Sequence, residues 1–242
     1  MMLPLRFAQM LASRLCHDLI APVGAINSGL ELLLEEKGAE NEELLQVVRT
    51  SSQTVARRLV FYRAVFGYSS AVQFKGLLDV ERFLKDYLTT TKVTLSWDLR
   101  KEPSSVDTQD EAIDYPNWGR VLANFVLLLC ETAPRGGNLT VNFSSQEPKK
   151  LPTLTIEGSL VPLKVGVERA LWGLIPDEDI TPHEVQAYLT RLLLEEMDAD
   201  LERLEVSLEK ISVFLKNKSR SVYPLFAERK PILKSRGPSQ DA

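Results

Sequence analysis

Residues 13–33 read SRLCHDLIAPVGAINSGLELL. In and around this stretch the apolar positions Leu11, Leu15, Leu19, Pro22, Ile26, Leu30 and Leu33 advance by 4, 4, 3, 4, 4 and 3 residues. That is the spacing of one buried stripe on a bundle helix. It predicts a single helix from Leu3 to Glu36. Lys37-Gly38 supplies a stop, and Asn41 a cap for a second helix. From Asn41 to Phe66 the pattern repeats, with Leu44, Val48, Val55, Leu59, Tyr62 and Phe66 on one face. Two helices joined by so short a turn form an antiparallel hairpin. One hairpin cannot bury stripes this wide, so two copies are expected to pair across a two-fold axis as a four-helix bundle, making the protein a homodimer.

His17 falls two residues after Leu15, about 200° round the helix, and so faces solvent. A neutral imidazole is a nucleophile. One nitrogen can attack a phosphoryl group while the other needs a partner to hold the tautomer. Asp18 is the adjacent acid, suited to orienting or deprotonating the ring. Arg14, one turn earlier, is a candidate to neutralise phosphoryl oxygens. Ala21 and Gly24 leave a smooth surface on the same side, and with Ser13 and Ile20 they are the candidate partner-binding residues. Pro22 is the odd feature, because a proline inside a helix removes a backbone hydrogen bond. A lone exposed histidine on an amphipathic helix is ordinarily a solvated surface residue. The His-Asp pair, the proline and the long hairpin together reverse that reading.

The whole chain has 242 residues, 44% hydrophobic and 26% charged, enough for one large domain or two small ones. Its net charge of −4 offers no basic field for nucleic acid. The longest apolar run, Phe125 to Cys130, falls far short of the about 20 residues of a membrane span. The N-terminal stretch lacks the charge, apolar-run and cleavage-site order of a signal peptide. Two cysteines, Cys16 and Cys130, make no disulfide framework, so a reducing cytoplasm is the expected location. With only His17 and His183 available, a His-rich metal site is excluded.

Gly67-Tyr68-Ser69-Ser70 marks a domain boundary, dividing a hairpin (1–67) from a second domain (71–228) and a polar tail (229–242), frayed from Leu233 onward. Beyond the boundary the expected elements are a helix at Val80–Thr90, a strand at Lys92–Leu99 and a buried helix at Asn117–Thr132. After the turn at Gly136-Gly137 come a strand at Asn138–Ser144, a turn at Pro148–Pro152 and a strand at Thr153–Glu157. A helix capped by Thr181, with Pro182 in its first turn, runs to Met197. Strands at Leu201–Leu208 and Ser212–Leu215 follow, the first alternatively extending the helix. The fold class is α+β, with helices on one face of a sheet.

His17-Asp18-Leu19-x-x-Pro22 resembles the phosphoacceptor box of sensor histidine kinases, H-[DE]-[LF]-x-x-P on the first helix of a dimeric hairpin. The fuller string RLCHDLIAPVGAINSGLELL resembles more closely the alphaproteobacterial ChpT-like histidine phosphotransferase family. The C-terminal part resembles a kinase ATP-binding domain without its catalytic boxes. In the register of the kinase N-box, Asn124, Pro134, Gly136 and Gly137 match, but Leu128 stands where the Mg²⁺-binding Asn belongs and Leu129 where Ala belongs. After Leu154-Thr155-Ile156-Glu157, Gly158-Ser159-Leu160-Val161-Pro162 replaces the D-x-G-x-G box. Before Val185, Ile180-Thr181-Pro182-His183-Glu184 replaces the glycine-rich turn that would present backbone N–H groups to phosphates.

The resemblance implies a phosphorelay in which His17 carries a phosphoryl group between receiver domains without ATP binding. It implies no cofactor on this chain, Mg²⁺ being supplied by the partner receiver. It implies a CckA-like hybrid-kinase receiver as donor and CtrA-like and CpdR-like cell-cycle regulators as acceptors. Two other readings stand beside it: an ATP-dependent sensor kinase with a divergent nucleotide site, and a non-catalytic module that docks a receiver. Among the remaining residues, His183 reads as a cap or surface residue, Trp97, Trp118 and Trp172 as packing residues, and Glu195 to Asp200 as a solvated acidic face.

Overall fold

The computed structural model describes residues 2–35, 41–67, 74–98, 115–143 and 151–218. The expected stop at Lys37-Gly38, most of the boundary at 67–70, much of the turn at 148–152 and the C-terminal tail lie outside the described residues.

Helices α1 (Met2–Glu35) and α2 (Asn41–Phe66) form the hairpin. Near its tip the axes approach closely: a Cβ added to Gly29 of α1 would lie 2.7 Å from Val48 Cγ2 of α2. Nearer its base Asp18 meets Arg58 and Tyr62. The contact order along the two helices is therefore antiparallel, as expected. The face buried between the two helices is narrower than the sequence stripe, as expected of a single hairpin. Leu30 and Leu59, both placed on the buried face by spacing, stand 46% and 47% exposed. Ile20, Val23, Leu34, Leu45 and Val60 are exposed as well, so the hairpin keeps an open apolar side in the single chain.

The remainder is a five-stranded sheet covered by helices. After α3 (Leu77–Leu88) come β1 (Val93–Asp98), α4 (Tyr115–Thr132), β2 (Gly137–Asn142) and β3 (Thr153–Gly158). Then follow α5 (Val165–Leu171), α6 (Val185–Glu196), β4 (Ala199–Val206) and β5 (Lys210–Asn217). The strand order is β1-β2-β3-β5-β4. Only β1 and β2 run parallel, because α4 is the crossover between them; the other neighbours are antiparallel. Leu139, Val141, Leu154, Ile156, Ile211 and Val213 of the central strands are buried. On β1 and β2, Thr94 and Ser96 bond to Asn138 Oδ1 at 3.2 and 3.0 Å, forming a polar stripe among exposed and half-buried residues. The mixed helix-and-sheet class expected from the sequence is what the chain adopts.

α4 is buried all round from Val121 to Leu129 and apolar there except at Asn124, the signature of a central helix. The turn after it needs glycine at position 136: φ is +106° there, and a Cβ would stand 2.7 Å from the Lys92 carbonyl oxygen. α6 starts later than the sequence suggested: its regular turns begin at Val185, with Glu184 at the N-cap and no side-chain cap bond, while Thr181 bonds the Glu184 carboxylate through both backbone and hydroxyl in the turn before it. β4 is a strand and not an extension of α6; Asp198, at φ +50°, turns the chain out of the helix. α5 and the 3₁₀ turn at Asp177–Asp179 had no periodicity to announce them. Trp97 and Trp118 pack against the core as expected, whereas Trp172 is largely exposed.

Hairpin and sheet layer share one continuous core, which includes Met10, Phe61, Tyr62 and Val65. Phe61 stacks on Tyr87 of α3 at 3.6 Å between ring centroids and on Phe83 at 5.4 Å. The C-terminal carbonyls of α2, which have no intrahelical donor, are met by α4 side chains. Arg120 donates to Ala64 O and Gly67 O at 3.4 and 2.9 Å, and Asn124 Nδ2 to Val65 O at 3.4 Å. No helix among the described residues is long and apolar enough to cross a membrane.

Candidate functional site

His17 sits on the outer surface of α1, its side chain 87% exposed, where the helical spacing puts it. Its Nδ1 lies 3.3 Å from Asp18 Oδ1. A hydrogen bond to the carboxylate there requires the proton on Nδ1; a neutral ring then carries its lone pair on the exposed Nε2. The pair is the arrangement an attacking imidazole needs: an accessible nitrogen on one side and an anchored one on the other.

Asp18 is only 23% exposed, and its surroundings explain why. Its second oxygen, Oδ2, accepts the hydroxyl of Tyr62 on α2 at 3.0 Å. Its backbone carbonyl accepts Arg58 Nη1, also from α2, at 2.8 Å. Tyr62 is buried, and its hydroxyl titrates far above the ordinary tyrosine range, first because of burial and then because of the Asp18 charge. Neither Arg58 nor Tyr62 was singled out from the sequence as a site residue. Tyr62 was legible only as an apolar seam position.

Arg14 points elsewhere. Its guanidinium pairs with Glu131 of α4 and is largely buried, so it ties the hairpin to the sheet layer. Serving a phosphoryl group would first require releasing Glu131. Ser13, Ile20, Ala21 and Gly24 are all exposed, and nothing within 4 Å would obstruct a Cβ at Gly24. They form an unobstructed surface next to His17 on the same helix. Cys16 is exposed, whereas burial pushes the Cys130 thiol up to about 12. His183 is exposed and donates its backbone N–H to Thr181 Oγ1, in the turn before α6.

Midway along α4, Asn124 is fully buried and already occupied. Its Oδ1 accepts Gln186 Nε2 of α6 at 2.5 Å, while its Nδ2 donates to Arg120 O at 2.8 Å besides Val65 O. Gln186 is itself fully buried, and Leu128 and Leu129 pack into the core beside this pair. Among the described residues no group of three or more His, Cys, Asp or Glu side chains is placed to hold a metal ion.

Known proteins share this architecture. A profile of the histidine phosphotransferase C-terminal domain matches residues 77–205, more than half of the chain. The protein phosphotransferase ChpT of Brucella abortus (strain 2308) is 32% identical over 189 residues, covering 77% of this chain and 84% of that protein. A bacterial phosphotransferase structure solved at 1.7 Å superposes with a TM-score of 0.66 at 28% identity, covering 88% of this chain and 96% of that one. An exposed, carboxylate-anchored histidine on a hairpin, joined to a domain matched over nearly all its length by this profile, places the chain in the histidine phosphotransferase family, as a ChpT-like phosphotransfer protein.

Proposed function

We propose that His17 is the phosphoacceptor through which this protein passes phosphoryl groups between receiver domains. The observation that carries this reading is the ring itself: solvent-exposed, with Nδ1 on Asp18 and Nε2 open. A receiver carrying an aspartyl phosphate docks over the surface of Ser13, Ile20, Ala21 and Gly24. Nε2 attacks phosphorus in line, a P–N bond forms, and the P–O bond to the receiver's aspartate breaks, returning its carboxylate. The Nδ1 proton stays against Asp18, which offsets the positive charge growing on the ring. The reverse sequence delivers the group to a second receiver. Such transfer is loose and metaphosphate-like, so positioning contributes most of the rate. Mg²⁺ comes with the receiver. The donor we assign is a CckA-like hybrid-kinase receiver, with CtrA-like and CpdR-like regulators as acceptors, which places the protein in cell-cycle control. Incubation with a radiolabelled phospho-receiver tests the reading: label should move to this chain as acid-labile, base-stable phosphate. Absence of such label overturns it.

The sheet layer, on this reading, is an ATPase-like domain that no longer takes nucleotide. The Asn124 amide is committed to Gln186, Arg120 and Val65, and leucine stands at position 128. Calorimetric titration with Mg²⁺-ATP is expected to show no heat of binding at micromolar protein. A clear isotherm would restore the kinase alternative.

The open apolar side of the hairpin, from Val23 to Leu30, Leu34 and Leu59, is the surface we assign to the dimer. Pairing two hairpins there builds the four-helix bundle. Light scattering behind size exclusion should report twice the chain mass of 27.2 kDa. A single-chain mass at micromolar concentration argues against pairing.

A further inference from the structure

Proline at position 22 leaves one carbonyl of α1 without its normal donor. In an α-helix the N–H of residue 22 would bond the C=O of residue 18, and proline has no N–H. The orphaned oxygen is that of Asp18, the residue beside the nucleophile. The structure fills the gap from the other helix: Arg58 Nη1 donates to Asp18 O at 2.8 Å. One turn further along α2, Tyr62 donates to the same residue's Oδ2 at 3.0 Å. α2 thus grips Asp18 twice, once by its backbone and once by its carboxylate. The remaining carboxylate oxygen, Oδ1, is the one turned to His17 Nδ1.

From this geometry we infer that Arg58 and Tyr62 are positioning residues for phosphotransfer: they hold Asp18 so that His17 is kept as its Nδ1–H tautomer with Nε2 free to attack. The inference rests on the phosphotransfer reading and names part of its machinery. A carboxylate bonded at one oxygen has lost the rotation that would let it leave the ring. Tyr62 suits this role because its ring is buried against Phe61 and Phe66 and cannot follow a moving carboxylate. Its hydroxyl, far from ionising, always has the proton to donate. Without the grip, an exposed imidazole returns toward the Nε2–H tautomer that an unpartnered ring prefers, and that tautomer has no lone pair at the solvent-facing nitrogen.

The test uses the full-length protein with ¹⁵N-histidine labelling. The two histidines give two imidazole spin systems, and the His17→Ala variant assigns them. Long-range ¹H–¹⁵N spectra at a pH where the ring is neutral read the tautomer. The wild type should show Nδ1–H in excess at His17. In Tyr62→Phe, which keeps the buried ring and removes only the hydroxyl, the Nε2–H share should rise. The transfer rate from saturating phospho-receiver should fall about tenfold, the worth of one hydrogen bond to a charged group, with unchanged half-saturation. Arg58→Met should move both readouts in the same direction, and Arg58→Lys, which keeps a donor, should restore them. A Tyr62→Phe protein with the wild-type tautomer ratio, or with transfer within about twofold of wild type, overturns the positioning role. Wild-type protein that takes up no phosphoryl group would instead defeat the phosphotransfer reading, whatever the tautomer.

Discussion

Replacing His17 with alanine is expected to abolish phosphoryl uptake while leaving the fold intact. The imidazole is 87% exposed, and among the described residues its one polar partner is Asp18. Little burial is lost on truncation, and alanine is the better helix former. Stability should therefore stay within about 0.5 kcal/mol of wild type, as for surface substitutions generally. The chemistry has no such tolerance. A covalent carrier step needs its nucleophile, and the only other histidine, His183, lies in the turn before α6, its backbone N–H on Thr181 Oγ1. Radiolabel transfer from a phospho-receiver should fall to background, with superimposable circular dichroism melts. Transfer between receivers that persists in the variant would end the assignment of His17.

Phe61→Ala should be the most destabilising single truncation near the site. Phe61 is 1% exposed and lies in the ring cluster that joins α2 to α3, stacked on Tyr87 and Phe83. Removing a buried phenyl ring loses its transfer free energy and leaves a cavity, together about 3–5 kcal/mol. For a chain of this size that corresponds to a melting temperature lower by roughly 10 °C. The neighbouring Tyr62 loses part of its support as well, so transfer should weaken in the same variant. Calorimetric melts check the first effect; a change under about 1 kcal/mol would mean that hairpin and sheet layer are not joined through this cluster.

The two variants divide the molecule between local and tertiary causes. His17 was legible because helical spacing and burial are both local consequences of the 3.6-residue repeat. Leu15 and Leu19 are half-buried against the core, and a residue two steps from Leu15 must face away. The same logic placed α3, α4 and the strands to within a few residues. It failed for α5, seven residues with Gly166 near their start, which lie against α6 with Val167, Ala170 and Leu171 buried. A segment that short has no helical stability of its own in water. That logic gave the width of the hairpin's stripe but not what covers each part of it, since a stripe marks what is apolar and not which partner covers it. Leu30 and Leu59 are apolar and exposed.

The residue string therefore sufficed for the helical hairpin, the surface histidine with its acidic neighbour, and the proline that strips Asp18 of a backbone donor. It did not reveal which group replaces that donor. Arg58 and Tyr62 lie 40 and 44 residues from Asp18, and whether they reach it depends on the rotation and register of α2 against α1. Arg14 was expected at the phosphoryl group and is found on Glu131, because packing against α4 places a carboxylate within its reach. Asn124, which the sequence alone matched to a kinase-like register, has its amide occupied by Gln186, 62 residues away. Periodicity is a property of neighbours along the chain. Pairing between elements arises only when a common core brings their side chains together, and here that core sets which groups hold Asp18 against His17.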